Sequence, residues 1–303
     1  MLKTSTTAGL TGTVLIENSS GSARLTAQHG FSCYIETAGR KILLDAGQDD
    51  AFSRNAAVLG KKLDAVDFAV VSHPHYDHAG GIQAFCALNK TAPVYTFWNK
   101  KDEYFSTTHS APGQTARPIG FPLKEKERDR IVSLGKHEIT ELAANVWFLP
   151  ATVHSHHTPF KDKTLFIKRD GQPGISSDTF DDEGILVIEI ERNGAPELIL
   201  FNSCSHNGVV NSIESVKKAL PEKNITAYIG GFHFPWADGE QIAAEDIEAM
   251  NELAAYAVQE KIILYSGHCT GPAAQEYLAG KLGGQFHRLT TGSSFQFPAA
   301  ARP

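Results

Sequence analysis

The sequence predicts an α/β protein in which the second half of the chain echoes the first. Strand-like segments of apolar residues recur along the chain, and helix-like segments separate several of them. In each half a strand also ends in a small polar turn, at Asp45-Ala-Gly47 in the first half and over 202–208 in the second. Because loops at the ends of a rigid sheet often carry functional residues, these turns are the first place to look for a site.

The first half begins with three strands that the pattern places side by side. The turn-forming pair Ala38-Gly39 separates the second strand from the third, which favours an antiparallel arrangement. A helix is predicted over about 50–59, and a short buried strand follows over 67–72. The three neighbouring strands are predicted over 12–17, 30–36 and 40–45.

Residues 73–78 carry the strongest functional signal, because three histidines and one aspartate lie within six residues. The segment joins the strand 67–72 to a helix predicted over 79–88, so it forms a strand-to-helix turn. Side chains two apart in extended backbone point the same way, so His73 and His75 can bind one ion. The turn then presents Asp77 and His78 to another ion. This spacing predicts a site for two metals.

The pattern becomes irregular from about residue 98 to 177, where proline and glycine interrupt mixed polar sequence. We interpret this part as an insertion, and as a candidate lid over the site, within a single domain of residues 1–303. The charged run at 124–130 mixes both signs and is typical of a solvated surface.

The second half resumes with a hairpin and then alternates helices and strands. Three of its strands are followed by histidines, namely His206, His233 and His268. Side chains grouped at strand ends are a common way to assemble a site on a sheet. The predicted elements are the hairpin 184–191 and 196–201, helices 210–220 and 243–259, and strands 225–231 and 261–265.

Composition narrows the class of function. The chain has 303 residues, 42% of them hydrophobic, which is enough for a substantial core, and its net charge is −6. A negative net charge disfavours broad attraction to nucleic acid or to an anionic membrane, so a small-molecule substrate is expected. The four cysteines show no CxxC pairing, and neither a signal peptide nor a membrane-spanning run is visible. We therefore expect a cytoplasmic protein, and the sequence does not predict its oligomeric state.

Together these motifs resemble the metallo-β-lactamase superfamily over most of the chain. The resemblance rests on Asp45-Ala-Gly47, the run 72–81 (SHPHYDHAGG) and His268. Further motifs resemble the dihydropterin-ribofuranosylaminobenzene-phosphate synthase-like branch, a metal-dependent hydrolase branch of that superfamily. They are 28–32 (QHGFS), Asn55, 181–183 (DDE), 204–208 (CSHNG), 230–233 (GGFH) and 267–271 (GHCTG). The resemblance implies an αββα sandwich, two mixed sheets face to face with helices outside, and a dinuclear metal site at one edge.

The resemblance also implies roles for residues at the strand ends. His268 matches the superfamily's distal ligand on the second ion, the alternative being a turn histidine satisfied by packing. His206 is expected to supply the third imidazole of the first site, which the wider family takes from an earlier loop. Cys204 stands where the wider superfamily has a bridging aspartate. Its thiolate is expected to bridge the ions or to bind one of them.

Other residues are expected to act around the metals. Asp45 is predicted to accept a hydrogen bond from a liganding imidazole and to fix its tautomer. His233 is predicted to face the substrate or to act as a general acid, the alternative being a structural histidine. Asp77 is predicted to take part in catalysis as well as in metal binding. Asp182 is a candidate ligand or ligand support, or simply a polar strand entrance. Weaker candidates for substrate contact are His29, His154, His156 and His157, while Cys269 is expected to pack.

The predicted function is hydrolysis of a small-molecule ester, amide, lactone or phosphoester by metal-activated hydroxide. Zn²⁺ is the expected metal, with Mn²⁺ or iron as alternatives, because histidine and carboxylate ligands suit all three. A pterin-related synthase or transferase using the same metals is the first alternative function. Its ring-stacking candidates are Phe31, Trp98, Phe160, Phe232 and Trp236. A metal-binding ligand sensor with little turnover is the second alternative.

Overall fold

The structure is a computed structural model, and it describes residues 9–107, 116–121, 129–136, 138–192, 194–234 and 242–299. The strands, in chain order, are β1 Leu10–Ile16, β2 Ser32–Thr37, β3 Arg40–Leu44, β4 Phe68–Val70, β5 Val94–Thr96, β6 Glu103–Ser106, β7 Arg117–Pro118, β8 Ile131–Ser133, β9 Thr140–Ala143, β10 Val146–Pro150, β11 Leu165–Lys168, β12 Ser176–Ser177, β13 Gly184–Arg192, β14 Ala195–Phe201, β15 Asn224–Gly230, β16 Ile263–Ser266, β17 Phe286–Arg288 and β18 Ser294–Phe297. The helices are α1 Ala51–Val58, α2 Tyr76–Ala79, α3 Ile82–Leu88, α4 Val209–Ala219, α5 Ala244–Glu260 and α6 Pro272–Leu282. Within the described ranges, no helix is long and apolar enough to cross a membrane.

The strands form two seven-stranded sheets and one small sheet. The first has the order β18-β1-β2-β3-β4-β5-β8, and the second has the order β17-β16-β15-β14-β13-β10-β9. The predicted antiparallel arrangement of β1, β2 and β3 is confirmed, and so is the β13–β14 hairpin. Parallel strands extend each sheet beyond these antiparallel parts. Both sheets are therefore mixed, as predicted.

The two sheets face each other, and helices cover their outer sides. Alternating strand residues make this possible: Ile42 and Leu44 face the core between the sheets, while Leu43 between them packs with α1 and α3. In the second sheet, Ile199 faces the inner core and Leu200 packs with α4, α5 and α6. The resulting order of layers is helix, sheet, sheet, helix. The predicted αββα sandwich is confirmed.

Residues 98–177 do not form one irregular block. The segment β10 is a nearly continuous apolar run that pairs with β13, and β8 pairs with β5 at the edge of the first sheet. The four-stranded sheet β12-β11-β6-β7 also lies here, around a small core that includes Trp98, Tyr104 and Ile167. Its interpretation as an insertion or lid stays a prediction. Much of the charged run 124–130 lies outside the described residues.

The helix predicted over 79–88 is divided into α2 and α3 at Gly80 and Gly81. A Cβ on Gly80 would lie 2.1 Å from the carbonyl oxygen of Gln48, and a Cβ on Gly81 would lie 2.2 Å from that of Ala46. Neither backbone oxygen can move without disturbing the turn after β3. Both positions therefore need glycine, and their lack of side chains lets the metal-binding turn pack against the turn that carries Asp45.

Candidate metal centre

The predicted site residues meet where parallel strands of both sheets end. Asp45 follows β3 and His73 follows β4 in the first sheet. In the second sheet His206, His233 and His268 follow β14, β15 and β16. In open sheets built this way, ligands bind beyond the carboxyl ends of the strands, and the same rule applies to this edge of the sandwich.

The first group consists of His73, His75 and His206. Their ligand atoms lie within 4.8 Å of one another, and all three side chains are buried. Among the described residues, the Nε2 atoms of His73 and His206 have no hydrogen-bond partner despite their burial. Burial also lowers the pKa of His73 and of His75 well below the usual value, so both are neutral. A neutral, buried and unpaired imidazole nitrogen is a suitable metal ligand.

The second group surrounds the carboxylate of Asp77. Its Oδ2 atom lies 3.1 Å from Nε2 of His29, 3.4 Å from Nε2 of His268 and 3.7 Å from Nε2 of His78. Burial alone would raise the pKa of Asp77, but His78, His268 and His29 together hold it well below its usual range. His29 thus lies nearer to the predicted ligands than its weak sequence signal indicated.

The Nδ1 atoms of four imidazoles face hydrogen-bond acceptors, and this fixes their tautomers. The acceptors are Asp45 for His78 (2.8 Å), Asn18 Oδ1 for His268 (3.0 Å), Asp162 for His206 (2.8 Å) and the Ser72 hydroxyl for His73 (2.9 Å). Ser72 accepts this bond because its own proton is donated to Asp45. Each Nδ1 therefore carries the proton, and each Nε2 presents a lone pair to the centre.

The lone pairs converge too closely for a site without a cation. The Nε2 atoms of His78 and His268 lie 3.0 Å apart, and neither carries a proton in the tautomer that its Nδ1 partner selects. Cys204 Sγ lies 3.3 Å from the same His78 atom. Electron-pair donors packed this closely repel one another unless a proton or a metal ion lies between them. The residues therefore fit divalent-metal binding.

Asp45 supports ligands from both groups. Its Oδ2 atom accepts hydrogen bonds from His78 Nδ1 and from the Ser72 hydroxyl, while its Oδ1 atom accepts from the Ser72 amide at 2.7 Å. Ser72 in turn orients His73. Asp45 has a φ of +53°, an uncommon conformation that the tight turn after β3 imposes. One buried carboxylate thus orients a ligand of each group.

Cys204 lies between the two groups. It forms one potential ligand set with His73 and His78, and another with His268 and Cys269. Burial, together with Cys269, raises the pKa of the Cys204 thiol well above its usual value, so ionisation to the thiolate needs a nearby cation. Its thiol therefore lies within reach of residues from both groups. Cys269 also accepts a hydrogen bond from the His233 amide, and the packing role expected for it stays a prediction.

Two acidic residues for which the sequence predicted no role of their own support His206. Asp162 accepts hydrogen bonds from Nδ1 of His206 at 2.8 Å and lies 2.6 Å from Nδ1 of His233. Glu183 accepts a hydrogen bond from the backbone amide of His206 at 2.8 Å. Asp182 lies outside the potential ligand sets among the described residues, and its carboxylate accepts a hydrogen bond from Tyr104.

The remaining candidates lie outside the metal groups. His156 donates a hydrogen bond through Nδ1 to Glu252 on α5, and His154 and His157 are exposed. Phe31, Trp98 and Phe232 are buried in the core, whereas Phe160 is 39% exposed. Trp236 lies outside the described residues. Of the ring-stacking candidates that the structure describes, Phe160 alone is exposed.

Comparison with known proteins shows what the chain is similar to. Residues 25–166 match the family model of the metallo-beta-lactamase superfamily. A Methanocaldococcus jannaschii protein named 7,8-dihydropterin-6-methyl-4-(beta-D-ribofuranosyl)-aminobenzene-5'-phosphate synthase is 26% identical over 89% of this chain and 90% of its own length. This similarity agrees with the branch that the motifs indicated.

Two solved structures share the fold. One is Tm1679, described as a metal-dependent hydrolase of the beta-lactamase superfamily, with a TM-score of 0.74, 23% identity and coverage of 95% of this chain and 99% of its own. The other is the metallo-beta-lactamase fold protein YhfI from Bacillus subtilis, with a TM-score of 0.55, 12% identity and coverage of 95% and 100%. The fold implies divalent-metal binding, and the histidine, aspartate and cysteine groups are its candidate ligands. Over residues 25–166 the chain is similar to the metallo-β-lactamase superfamily, and it shares the fold of these two structures.

Proposed function

We propose that this protein is a hydrolase of a small-molecule ester, amide, lactone or phosphoester that uses two divalent ions, with Zn²⁺ as the expected metal. The observation that carries the proposal is the convergence of imidazole lone pairs on two adjacent positions. The first ion would be held by His73, His75 and His206. The second would be held by Asp77, His78 and His268, and Cys204 would bridge the two.

Bound divalent ions lower the pKa of water toward neutrality and polarise carbonyl or phosphoryl oxygens, which makes hydrolysis feasible at neutral pH. The protein residues supply orientation and a proton. Asp77 combines a buried carboxylate with three surrounding imidazoles, so it stays ionised and holds its position beside the reaction centre. His233 is proposed as the general acid, because the adjacent Asp162 carboxylate stabilises its protonated form.

A small molecule is the proposed substrate. The net charge of −6 disfavours polyanionic partners, and most of the metal-group side chains are buried below the surface. A macromolecular substrate would have to insert a narrow segment to reach them.

A second candidate is synthesis of a pterin-containing compound with the same metals. It is favoured by the 26% identity, over nearly full length, to the relative named as a dihydropterin aminobenzene phosphate synthase. The exposed ring of Phe160 lies two residues from Asp162, and the Lys163 ammonium lies 4.1 Å from that ring's centroid. An aromatic ring beside a cation is suited to a flat heterocycle that carries an anionic group.

Turnover measurements on defined metal states test both candidates. Metal-free protein and protein reloaded with Zn²⁺, Mn²⁺ or Fe²⁺ would be assayed against esters, lactones, amides, phosphodiesters and pterin phosphates. We expect hydrolysis by the loaded protein, loss of hydrolysis on chelation, and loss in H75A. The matched control H287A removes an exposed histidine of β17 and should keep full activity.

The outcomes separate the three functions. Hydrolysis by folded, metal-free protein at the full rate would refute the proposal. Turnover confined to pterin phosphates would favour the synthase. Tight metal binding with no turnover on any substrate class would favour a ligand sensor.

A further inference from the structure

The segment that joins β10 to β11 is attached to the outer helices by polar contacts. The backbone amides of Thr152 and Val153 donate to Ser215 Oγ on α4 at 2.8 and 2.9 Å. Asn211, also on α4, exchanges two hydrogen bonds with the backbone of His156. We name residues 151–164 the strap. Its path is set by side chains that reach its backbone, not by an apolar core of its own.

The strap ends at the metal centre. The amide of Phe160 donates to Asp246 on α5 at 3.1 Å, and a short 3₁₀ turn over Phe160–Thr164 then directs Asp162 inward. The Asp162 side chain is 9% exposed. Its Oδ1 atom lies 2.8 Å from Nδ1 of His206 and 2.6 Å from Nδ1 of His233. One carboxylate oxygen therefore contacts both a predicted metal ligand and the proposed general acid.

The 2.8 Å contact between Asp162 Oδ1 and His206 Nδ1 is a direct hydrogen bond, whereas the 2.6 Å contact of the same oxygen with His233 Nδ1 is an ion-pair contact. An ionised carboxylate only accepts, so His206 must donate through Nδ1.

The ring of His206 has a second support that cannot replace Asp162. Phe180 stacks on it with ring centroids 4.3 Å apart and an angle of 4° between the planes. Stacking fixes the plane of the imidazole, but it does not select which nitrogen carries the proton. Among the described residues, the Asp162 carboxylate is the acceptor that faces His206 Nδ1.

We propose that Asp162 is a positioning residue through which the strap couples the first metal site to His233. It holds His206 in the tautomer that presents Nε2 to the ion, and with the same oxygen it orients the His233 ring. This inference rests on the metal site proposed above and needs no assumption about the substrate. It gives the strap a role that its irregular sequence did not indicate.

The test compares metal binding by wild type, D162N and the control D170N, whose aspartate pairs with Lys101 at the surface. Co²⁺ titration followed by visible absorption resolves the two ions without substrate. We expect D162N to lower the affinity for one ion by about 10–100-fold, which is the usual effect of removing a ligand's hydrogen-bond partner. The affinity for the other ion should stay nearly unchanged. D170N should match wild type. An equal loss of affinity for both ions, or no loss of affinity for either, would overturn the proposal.

A second measurement needs no variant. Nitrogen-15 NMR of the histidine rings in metal-free protein reports which nitrogen of His206 carries the proton, and we expect Nδ1. A proton on Nε2 would overturn the proposal even if D162N does not fold. If wild type binds no divalent ion, the proposed hydrolase fails, whereas the NMR readout still decides the role of Asp162.

Discussion

Replacement of Asp45 by asparagine should lower the binding affinity for both metal ions, because this one carboxylate orients a ligand in each group. It accepts three buried hydrogen bonds, one from His78 and two from Ser72, which in turn orients His73. An amide keeps the shape but offers one acceptor oxygen in place of two, and its NH₂ group faces donors. At least one ligand in each group then loses its fixed tautomer.

The size of the effect follows from those contacts. Loss of a hydrogen-bond partner behind a metal ligand costs about 10–100-fold in affinity, so we expect a loss of about 1.4–2.7 kcal/mol per ion in D45N. Asp45 differs here from Asp162, which contacts a ligand of the first group alone. The contrast between D45N and D162N separates effects on both ions from effects on one.

Competition with a chromophoric chelator measures both affinities in wild type, D45N and a control. The control is D67N, in which a partly exposed aspartate paired with Arg40 loses its charge far from the metal groups. D67N should bind metal as wild type does. If D45N retains both affinities within threefold, or loses only one, the assigned role of Asp45 is wrong.

Three further predictions concern the bridge, the packing and the pH dependence of stability. Co²⁺-loaded wild type should show a near-ultraviolet thiolate-to-metal absorption band that C204S lacks, and absence of the band in wild type would remove Cys204 from the ligands. G81A should lower the free energy of unfolding by about 1–3 kcal/mol in urea denaturation, because its Cβ would lie 2.2 Å from a carbonyl oxygen. The control G280A, in open space within α6, should be neutral or stabilising, and equal losses in both variants would contradict the packing account. Burial and the neighbouring Asp182 raise the pKa of Asp178 from 3.8 to about 8, so the folded state keeps a proton that the unfolded state releases above pH 4. Stability should therefore fall as pH rises from about 4 to 8, and D178N should reduce this slope. Parallel urea-denaturation profiles of D178N and wild type would exclude this assignment.

Local spacing predicted the parts of the site that lie close together in sequence. One turn carries His73, His75, Asp77 and His78, so their spacing and residue types were enough to group them. The strand ends that carry His206 and His268 were also readable as apolar runs that finish in polar residues. The metal-ligand roles of these residues remain predictions, whereas the structure does bring them together.

Contacts between distant residues could not be read from the sequence. Asp162 meets His206 across 44 positions, and no periodicity or motif marks it in a segment punctuated by proline and lysine. His29 reaches Asp77 from a loop with no regular pattern. In the Asp-Asp-Glu motif, neighbouring side chains diverge, so Glu183 supports the His206 turn while Asp182 turns to Tyr104.

The pairing of strands in residues 98–177 was hidden for a similar reason. The strand β10 has an apolar sequence that suits a sheet interior, but its partner β13 begins more than thirty residues later. Irregular sequence on both sides of β10 obscured it. A sheet is built from such non-local pairings, which depend on the whole fold and not on a local window.

Anomalous X-ray diffraction from crystals of the zinc-loaded protein tests the two-metal site most directly, because it locates each ion without reference to any activity. We predict two zinc peaks at the carboxyl ends of the strands, one contacted by His73, His75 and His206 and the other by Asp77, His78 and His268. A single peak, or peaks away from these side chains, would contradict the two-metal centre on which the proposed hydrolysis depends.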